Sequence, residues 1–240
     1  MATMIGKSGV VALAGRPNSG KSTLLNRVMG EEISIVSPKA QTTREQLRGI
    51  LNHETGQIVF VDTPGIHRAK AGGLNEAMVH QARMALDGPD VVWYLVDPAS
   101  TAEHEEPVVE LVAASGAPVL VLINKIDRKD PESSRGVRLG TDEGLAAFLS
   151  SLSGAGAKIE GVRRISALGG EGVPELMETT WALLPQGEPL YPTDGSLSDR
   201  PVRFFVAEKI REQIFRQLGE ELPYSCAVEV QAYEEGKGLD

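Results

Sequence analysis

The stretch "GRPNSGKST", Gly15 to Thr23, lies between an apolar run and a segment of helical periodicity, the context in which G-x-x-x-x-G-K-[ST] cradles a phosphate. Gly15 and Gly20 let the backbone wrap an anion, and the N–H groups of Asn18, Ser19 and Thr23 face it together with the helix N-terminus. Lys21 neutralises β- and γ-phosphate oxygens, and the Ser22 hydroxyl can ligate Mg²⁺. Out of context the same residues would be only a glycine-rich turn. "DTPG", Asp62 to Gly65, ends another apolar run. A carboxylate at that point can hold Mg²⁺ through water, and the Gly65 N–H can approach a γ-phosphate because no Cβ intervenes. Taken alone, Asp-Thr-Pro-Gly is as good a turn, so position along the chain decides its reading.

"NKID", Asn124 to Asp127, also ends an apolar run. An Asp127 carboxylate only accepts hydrogen bonds, so it can take both the N1–H and the exocyclic amine of guanine, where adenine offers neither donor. The pattern therefore points to GTP and GDP rather than adenine nucleotides. Asn124 is placed to tie this loop to the base and phosphate loops, and the stem of Lys125 to cover the base. "SAL", Ser166 to Leu168, follows the strand-like "GVRRI", and the backbone N–H groups of Ser166, Ala167 and Leu168 can meet a guanine O6. Three residues mean little alone and gain weight as the fourth element in order. Within "SPKAQTTRE", Ser37 to Glu45, a Thr can reach Mg²⁺ and the γ-phosphate only when that phosphate is present. Thr43 is the expected residue and Thr42 the reserve; the other, weaker reading makes both ordinary strand threonines.

These loops need a scaffold that brings them to one edge. "VVALAG" (Val10 to Gly15), "QIVFVD" (Gln57 to Asp62), "VVWYLVD" (Val91 to Asp97) and "PVLVLIN" (Pro118 to Asn124) read as buried strands. Helical periodicity over Lys21 to Met29, Leu74 to Asp87, Glu103 to Ala114, Asp142 to Ser153 and Val173 to Leu184 alternates with them, as in a mostly parallel sheet covered on both faces. "REQLRGIL", Arg44 to Leu51, precedes a strand with no helix between and predicts an antiparallel edge hairpin. The count is about six strands in an α/β layout.

The composition sets outer bounds. Of 240 residues 41% are hydrophobic and 24% charged, which is ordinary for a globular chain with a sizeable core. No run approaches the roughly 18 apolar residues of a membrane span, and the N-terminus enters a motif without room for a signal peptide, so a cytoplasmic protein is expected. The one cysteine, Cys226, excludes an internal disulfide and reads as a small buried residue. A net charge of −9 argues against coating nucleic acid by bulk positive charge, while leaving room for a local patch. The four histidines read as loop or surface residues, with His67 alone near the phosphate chemistry.

After Leu184 the texture turns rich in Pro and polar residues, giving residues 1–184 as one domain and 185–200 as a linker. Residues 201–240 open with a segment, "VRFFVAEKIREQIFRQLGEELP", whose Val206, Ile210, Ile214, Phe215 and Leu218 predict an amphipathic helix, then "YSCAVEVQAY", which alternates like a strand. Arg200, Arg203, Lys209, Arg211 and Arg216 read as a solvated helix face, with phosphate contact as the other option. About 40 residues are marginal for an independent domain, so this second unit is expected to be incomplete.

With the five loop elements in order, the chain resembles the bacterial Era family of GTPases, on "GRPNSGKSTLLN", "SPKAQTTR", "DTPGIH", "DRPVRFF" and "REQIFRQLGEELPYS". The resemblance implies a three-layer P-loop GTPase domain with Mg²⁺, followed by the N-terminal part of an α+β K-homology domain. It further implies a role in assembling the small ribosomal subunit through 16S rRNA, with peripheral contact at the inner face of the cell membrane as a subsidiary expectation and no stable oligomer. RNA clamping in such domains uses a G-x-x-G loop, and after Leu222 the only glycines are Gly236 and Gly238. The alternative is a signalling or membrane-associated scaffold whose GTPase domain recruits protein partners.

Many GTPases place a Gln after the "DxxG" glycine to orient the attacking water, and here Ile66 stands in its place. Relatives with an Asn in the phosphate loop use it to bind K⁺ near the β- and γ-phosphates, which makes Asn18 the candidate for a borrowed positive charge. A plain turn-forming role is its other reading. Ser19 stands where that family usually has Val or Ala.

Overall fold

The computed structural model describes residues 6–36, 47–63, 65, 74–128, 137–217 and 227–232, with only the backbone of residues 74–79, 215 and 216. Thr42, Thr43, Ile66, His67 and Cys226 lie outside the described residues. Among the described residues seven strands form one sheet, β1 (Gly6–Gly15), β2 (Leu47–His53), β3 (Gly56–Asp62), β4 (Val91–Val96), β5 (Pro118–Ile123), β6 (Lys158–Arg164) and β7 (Gln186–Gly187). Six of them run in the order β2-β3-β1-β4-β5-β6, and β7 adds a short antiparallel pairing to the start of β1. The pairings β3-β1-β4-β5-β6 are parallel and β2 is antiparallel to β3, so the expected edge hairpin is present.

Helices α1 (Lys21–Met29), α2 (Leu74–Ala85), α3 (Ala102–Ala114), α4 (Asp142–Gly154) and α5 (Val173–Leu183) fall where the periodicity placed them. Side chains alternate across the strands, as the two-residue period requires. Val11, Leu13, Trp93 and Leu95 face α1 and α5, and Phe60 meets Trp93 at 5.0 Å between ring centroids. Ala12, Ala14, Val92, Tyr94 and Val96 face the other way, toward Ala82 of α2, Val108 and Val112 of α3 and Phe148 of α4. With helices on both faces the architecture is three-layered.

The segment after Leu184 runs along the sheet rather than away from it. Gln57 donates to the Tyr191 carbonyl at 2.9 Å and accepts from the Tyr191 N–H at 2.8 Å, and the Ile50 N–H donates to the Leu197 carbonyl at 2.8 Å. Asp199 pairs with Arg48 at 3.0 Å. Helix α6 (Val202–Gln217) follows, and Phe204 and Phe205 pack on the α1/α5 side of the core.

Two expectations for the C-terminal part do not hold. Residues 227–232 form no strand, because an alternating sequence needs a neighbouring ladder and none of the described strands pairs with it. On α6, Ile210 is 46% exposed while Arg211 is buried with its guanidinium on Glu208, so this part of the basic set is not a solvated face. His53 ends β2 and stacks on Trp181 at 5.6 Å; His80 and His104 are exposed on helices.

Candidate functional site

Strands β1, β3, β4, β5 and β6 are mutually parallel, so the turns after Gly15, Asp62, Val96, Ile123 and Arg164 gather at one edge of the sheet, where doubly wound folds bind ligands. The loop after β1 leads into α1 on one face, and the loop after the adjacent β4 leads into α3 on the other, so a crevice opens between them.

Helix α1 starts at Gly20 with no side-chain cap and no acidic residue in its first turn, whereas α3, α4 and α5 each carry acids there. Its first N–H groups and positive dipole end are left for an anion. Gly20 needs its missing Cβ: φ is 104°, and a Cβ would lie 2.1 Å from Nδ2 of Asn124. Asn18 takes a φ of 62°, a left-handed turn that Asn tolerates better than most residues. Lys21 is almost fully buried and donates to the carbonyls of Gly15 and Arg16, at 3.0 Å each. Burial pulls its pKa down to about 8, against the opposing pull of the Asp62 and Glu105 charges.

Asp62 has no exposed surface, and its Oδ2 accepts from the hydroxyls of Ser22 at 2.8 Å and Ser34 at 2.9 Å. Ser34 is held in turn by Asn26, whose Oδ1 accepts the Ser34 N–H at 2.9 Å and whose Nδ2 donates to the Ser34 carbonyl. Gly65 lies against the phosphate loop so closely that a Cβ would sit 2.6 Å from the Pro17 backbone. Ser22 and Asp62 are a donor set suited to Mg²⁺, which takes one or two protein oxygens and completes its octahedron with water and phosphate. Among the described residues no cluster of three His, Cys, Asp or Glu competes for that role.

Asn124 is the tie that its position implied. Its Nδ2 donates to the Ser19 carbonyl at 2.8 Å, and its Oδ1 accepts the Ala167 N–H at 2.9 Å, joining three loops through one amide. Asp127 accepts from the Ser166 hydroxyl at 2.5 Å, which fixes one carboxylate oxygen. Lys125 has a φ of 67° and its ammonium meets Asp97 at 2.5 Å. Arg27 of α1 reaches the carbonyls of Ala167 and Leu168, and Leu168 is 69% exposed at the rim. The hydroxyl of Ser19 is buried without a hydrogen-bond partner among the described residues, so this departure from an apolar residue carries a desolvation cost.

Sequence reasoning missed Asn26, Ser34, Asp97, Ser100 and Glu105. Asn26 closes the quoted "GRPNSGKSTLLN" without a role of its own there, the other four sit in none of the quoted motifs, and each reaches the site through contacts remote in sequence or through a helix turn. The only hint lay in "VDPASTAEHE", where an acid ends a buried strand just as Asp62 does.

Residues 10–125 match the family model described as a 50S ribosome-binding GTPase. Over 230 residues the chain is 45% identical to the GTPase Era of Geotalea uraniireducens, covering 95% of this chain and 73% of that one. To the GTPase Era of Bordetella pertussis it is 41% identical over 229 residues, with the same coverage. Among solved structures, a variant of Aquifex aeolicus Era bound to GDP·AlF4⁻ superposes with a TM-score of 0.77 at 36% identity, covering 91% of this chain and 70% of that chain. Another, Era in complex with MgGDPNP and nucleotides 1506–1542 of 16S ribosomal RNA, gives 0.78 at 36%, covering 92% and 70%.

Proposed function

The chain belongs to the Era family of GTPases, and from that premise we propose that it is a GTP-hydrolysing switch acting in small ribosomal subunit assembly through 16S rRNA. The observation that carries the nucleotide part is the uncapped, acid-free start of α1 beside buried Lys21, at the edge where Ser22 meets Asp62. A polyphosphate there takes Lys21 from the carbonyls of Gly15 and Arg16 and satisfies the N–H groups of the first helical turn. Mg²⁺ held by Ser22 and Asp62, with Thr43 as the γ-phosphate-dependent ligand, supplies charge neutralisation for phosphoryl transfer.

Guanine selectivity is assigned to Asp127. Its Oδ1 is engaged by Ser166, which turns the carboxylate and leaves acceptor capacity for the two guanine donors. Of the three N–H groups expected to meet guanine O6, those of Ser166 and Ala167 donate within the fold, to the Glu171 carbonyl at 3.0 Å and to Oδ1 of Asn124 at 2.9 Å, so that role falls first to the Leu168 N–H.

Ile66 offers no hydrogen bond to an attacking water, so the proposal includes K⁺ held with the help of Asn18, in the loop that faces the phosphates. Hydrolysis measured in K⁺ and in Na⁺ tests this. Wild type should be faster in K⁺ and Asn18→Ala should lose the difference; equal wild-type rates in the two salts would contradict it.

The switch reading supposes that the γ-phosphate orders the segments around Thr43 and Gly65, and that the C-terminal segment changes its hold on RNA. Binding of a 16S 3′-terminal oligonucleotide, measured with GDPNP and with GDP, checks it, and equal affinity in the two states would count against a switch. A cytoplasmic location with peripheral membrane contact belongs to the same proposal; none of the described helices is long and apolar enough to cross a membrane.

A further inference from the structure

Glu105 stands in the first turn of α3, 1% exposed, on a helix whose other buried residues are Val108, Val109 and Val112. Its Oε1 accepts the Ser100 hydroxyl at 2.7 Å and its Oε2 accepts the Tyr94 hydroxyl at 3.0 Å. The Ser100 oxygen in turn accepts from the Arg16 guanidinium at 3.4 Å, across the crevice between the β1 and β4 loops. That contact is long for a hydrogen bond, so the charge behind Ser100 must do much of the orienting. The Arg16 carbonyl is one of the two that hold Lys21, and it also accepts the Ser19 N–H at 3.3 Å.

Ser100 itself is fixed by its backbone: its N–H donates to the Asp97 carbonyl and its carbonyl accepts the Leu139 N–H, both at 2.9 Å. The same loop presents Asp97 to Lys125. One short segment, Asp97 to Glu105, therefore touches both the phosphate loop and the loop of "NKID".

We propose that Glu105 is a positioning residue for nucleotide binding, which through the Ser100 hydroxyl fixes the Arg16 side chain and with it the first turn of the phosphate loop. The inference rests on the reading of that loop as a nucleotide site. A purely structural role fits poorly, because a buried carboxylate is costly to a fold. Burial pushes the Glu105 carboxyl up from its ordinary value, and the hydrogen bonds from Ser100 and Tyr94 and the charges of Arg16 and Lys21 only partly offset this. In the fold alone a neutral isostere keeps the shape and one of the two acceptors and buries no charge. What the ionised form adds is an attraction on the two cations of the phosphate loop.

The test compares release of mant-GDP with the melting temperature of the nucleotide-free chain, for wild type, Glu105→Gln, Ser100→Ala, Arg16→Met and the Glu105→Gln/Arg16→Met pair. Each single change should speed release by about tenfold, and the pair should release no faster than its faster member, because all act through one chain of contacts. Glu105→Gln should leave the melting temperature unchanged or raise it. Release within twofold of wild type for Glu105→Gln would overturn the proposal, as would multiplying effects in the pair. Should Glu105→Gln fail to fold, Ser100→Ala decides: it leaves the carboxylate in place, and unchanged release overturns the role. A wild type that does not bind mant-GDP at all would overturn the nucleotide reading itself, a result distinct from these.

Discussion

At the loop end of the sheet, Lys21, Asp62, Asn124 and Ser166 are polar, almost wholly buried and bonded to partners up to 105 residues away. On α6, Val202 and Ile210 are apolar and about half exposed, while Arg211 and Glu212 are buried. In the first region these four buried polar side chains are bonded across loops, which fixes loop geometry at the cost of desolvation, the Ser19 hydroxyl being an exception. In the second, local propensity makes a helix whose Phe204 and Phe205 reach the core, while Val202, Val206 and Ile210 line an open groove of about 730 Å³ with Ile33 and Leu197. Its ties to the body at this groove include an exposed ion pair, Lys209 with Glu32. The loop end is thus preorganised for a small charged ligand, and α6 is joined to it by replaceable contacts.

Breaking the preorganised end should have the largest effect. Lys21→Ala removes the cation assigned above to the phosphates and should weaken GDP binding on the order of a thousandfold, measured by titration calorimetry. Asp127→Asn puts a donor where the carboxylate offered only acceptors. It should cost about a hundredfold in guanine nucleotide affinity and shift preference toward xanthine nucleotides, whose C2 carries an oxygen in place of the amine.

The buried lysine also sets a pH dependence. Burial lowers its pKa to about 8, below the ordinary 10.5, so the folded chain gives up this proton before the unfolded chain does. Between those two values the unfolded chain binds more protons. Lys21 therefore contributes rising stability to the nucleotide-free fold as pH climbs through that window, and its burial cost is fully present below it. Nucleotide binding has the opposite sign, because the phosphates favour charged Lys21. Affinity for GDP should be level below pH 8 and fall by up to about tenfold per pH unit above it, as fluorescence titration across that range would show.

At the α6 end, Glu32→Ala should change stability by less than about 1 kcal/mol in chemical denaturation and leave GDP affinity unaltered, since it removes only the exposed partner of Lys209 and leaves the contact of Lys209 with buried Glu212 in place. A large loss of nucleotide affinity from this change would erase the contrast between the two regions.

The five helices from α1 to α5 and the edge hairpin were legible because each has a clean period and each loop motif carries its own chemistry. Asn124 was legible for the same reason: an amide after a buried strand has few other uses. Ser34 and Glu105 were not, because a serine in a loop and an acid in a first helical turn are ordinary in isolation. Their meaning arises only when the sheet brings Asp62 to Ser34 and the crevice brings Arg16 to Ser100. The pattern on α6 misled for a related reason, since periodicity fixes which residues share a face but not what that face meets.

The most direct measurement is phosphate release by the chain with GTP and with ATP as sole nucleotide, in Mg²⁺ and K⁺. GTP should be turned over, ATP left intact at the same concentration, and chelation of Mg²⁺ should stop the reaction. Equal use of the two nucleotides, or no release from GTP, would contradict the assignment of Lys21, Ser22, Asp62 and Asp127 to one guanine-nucleotide site.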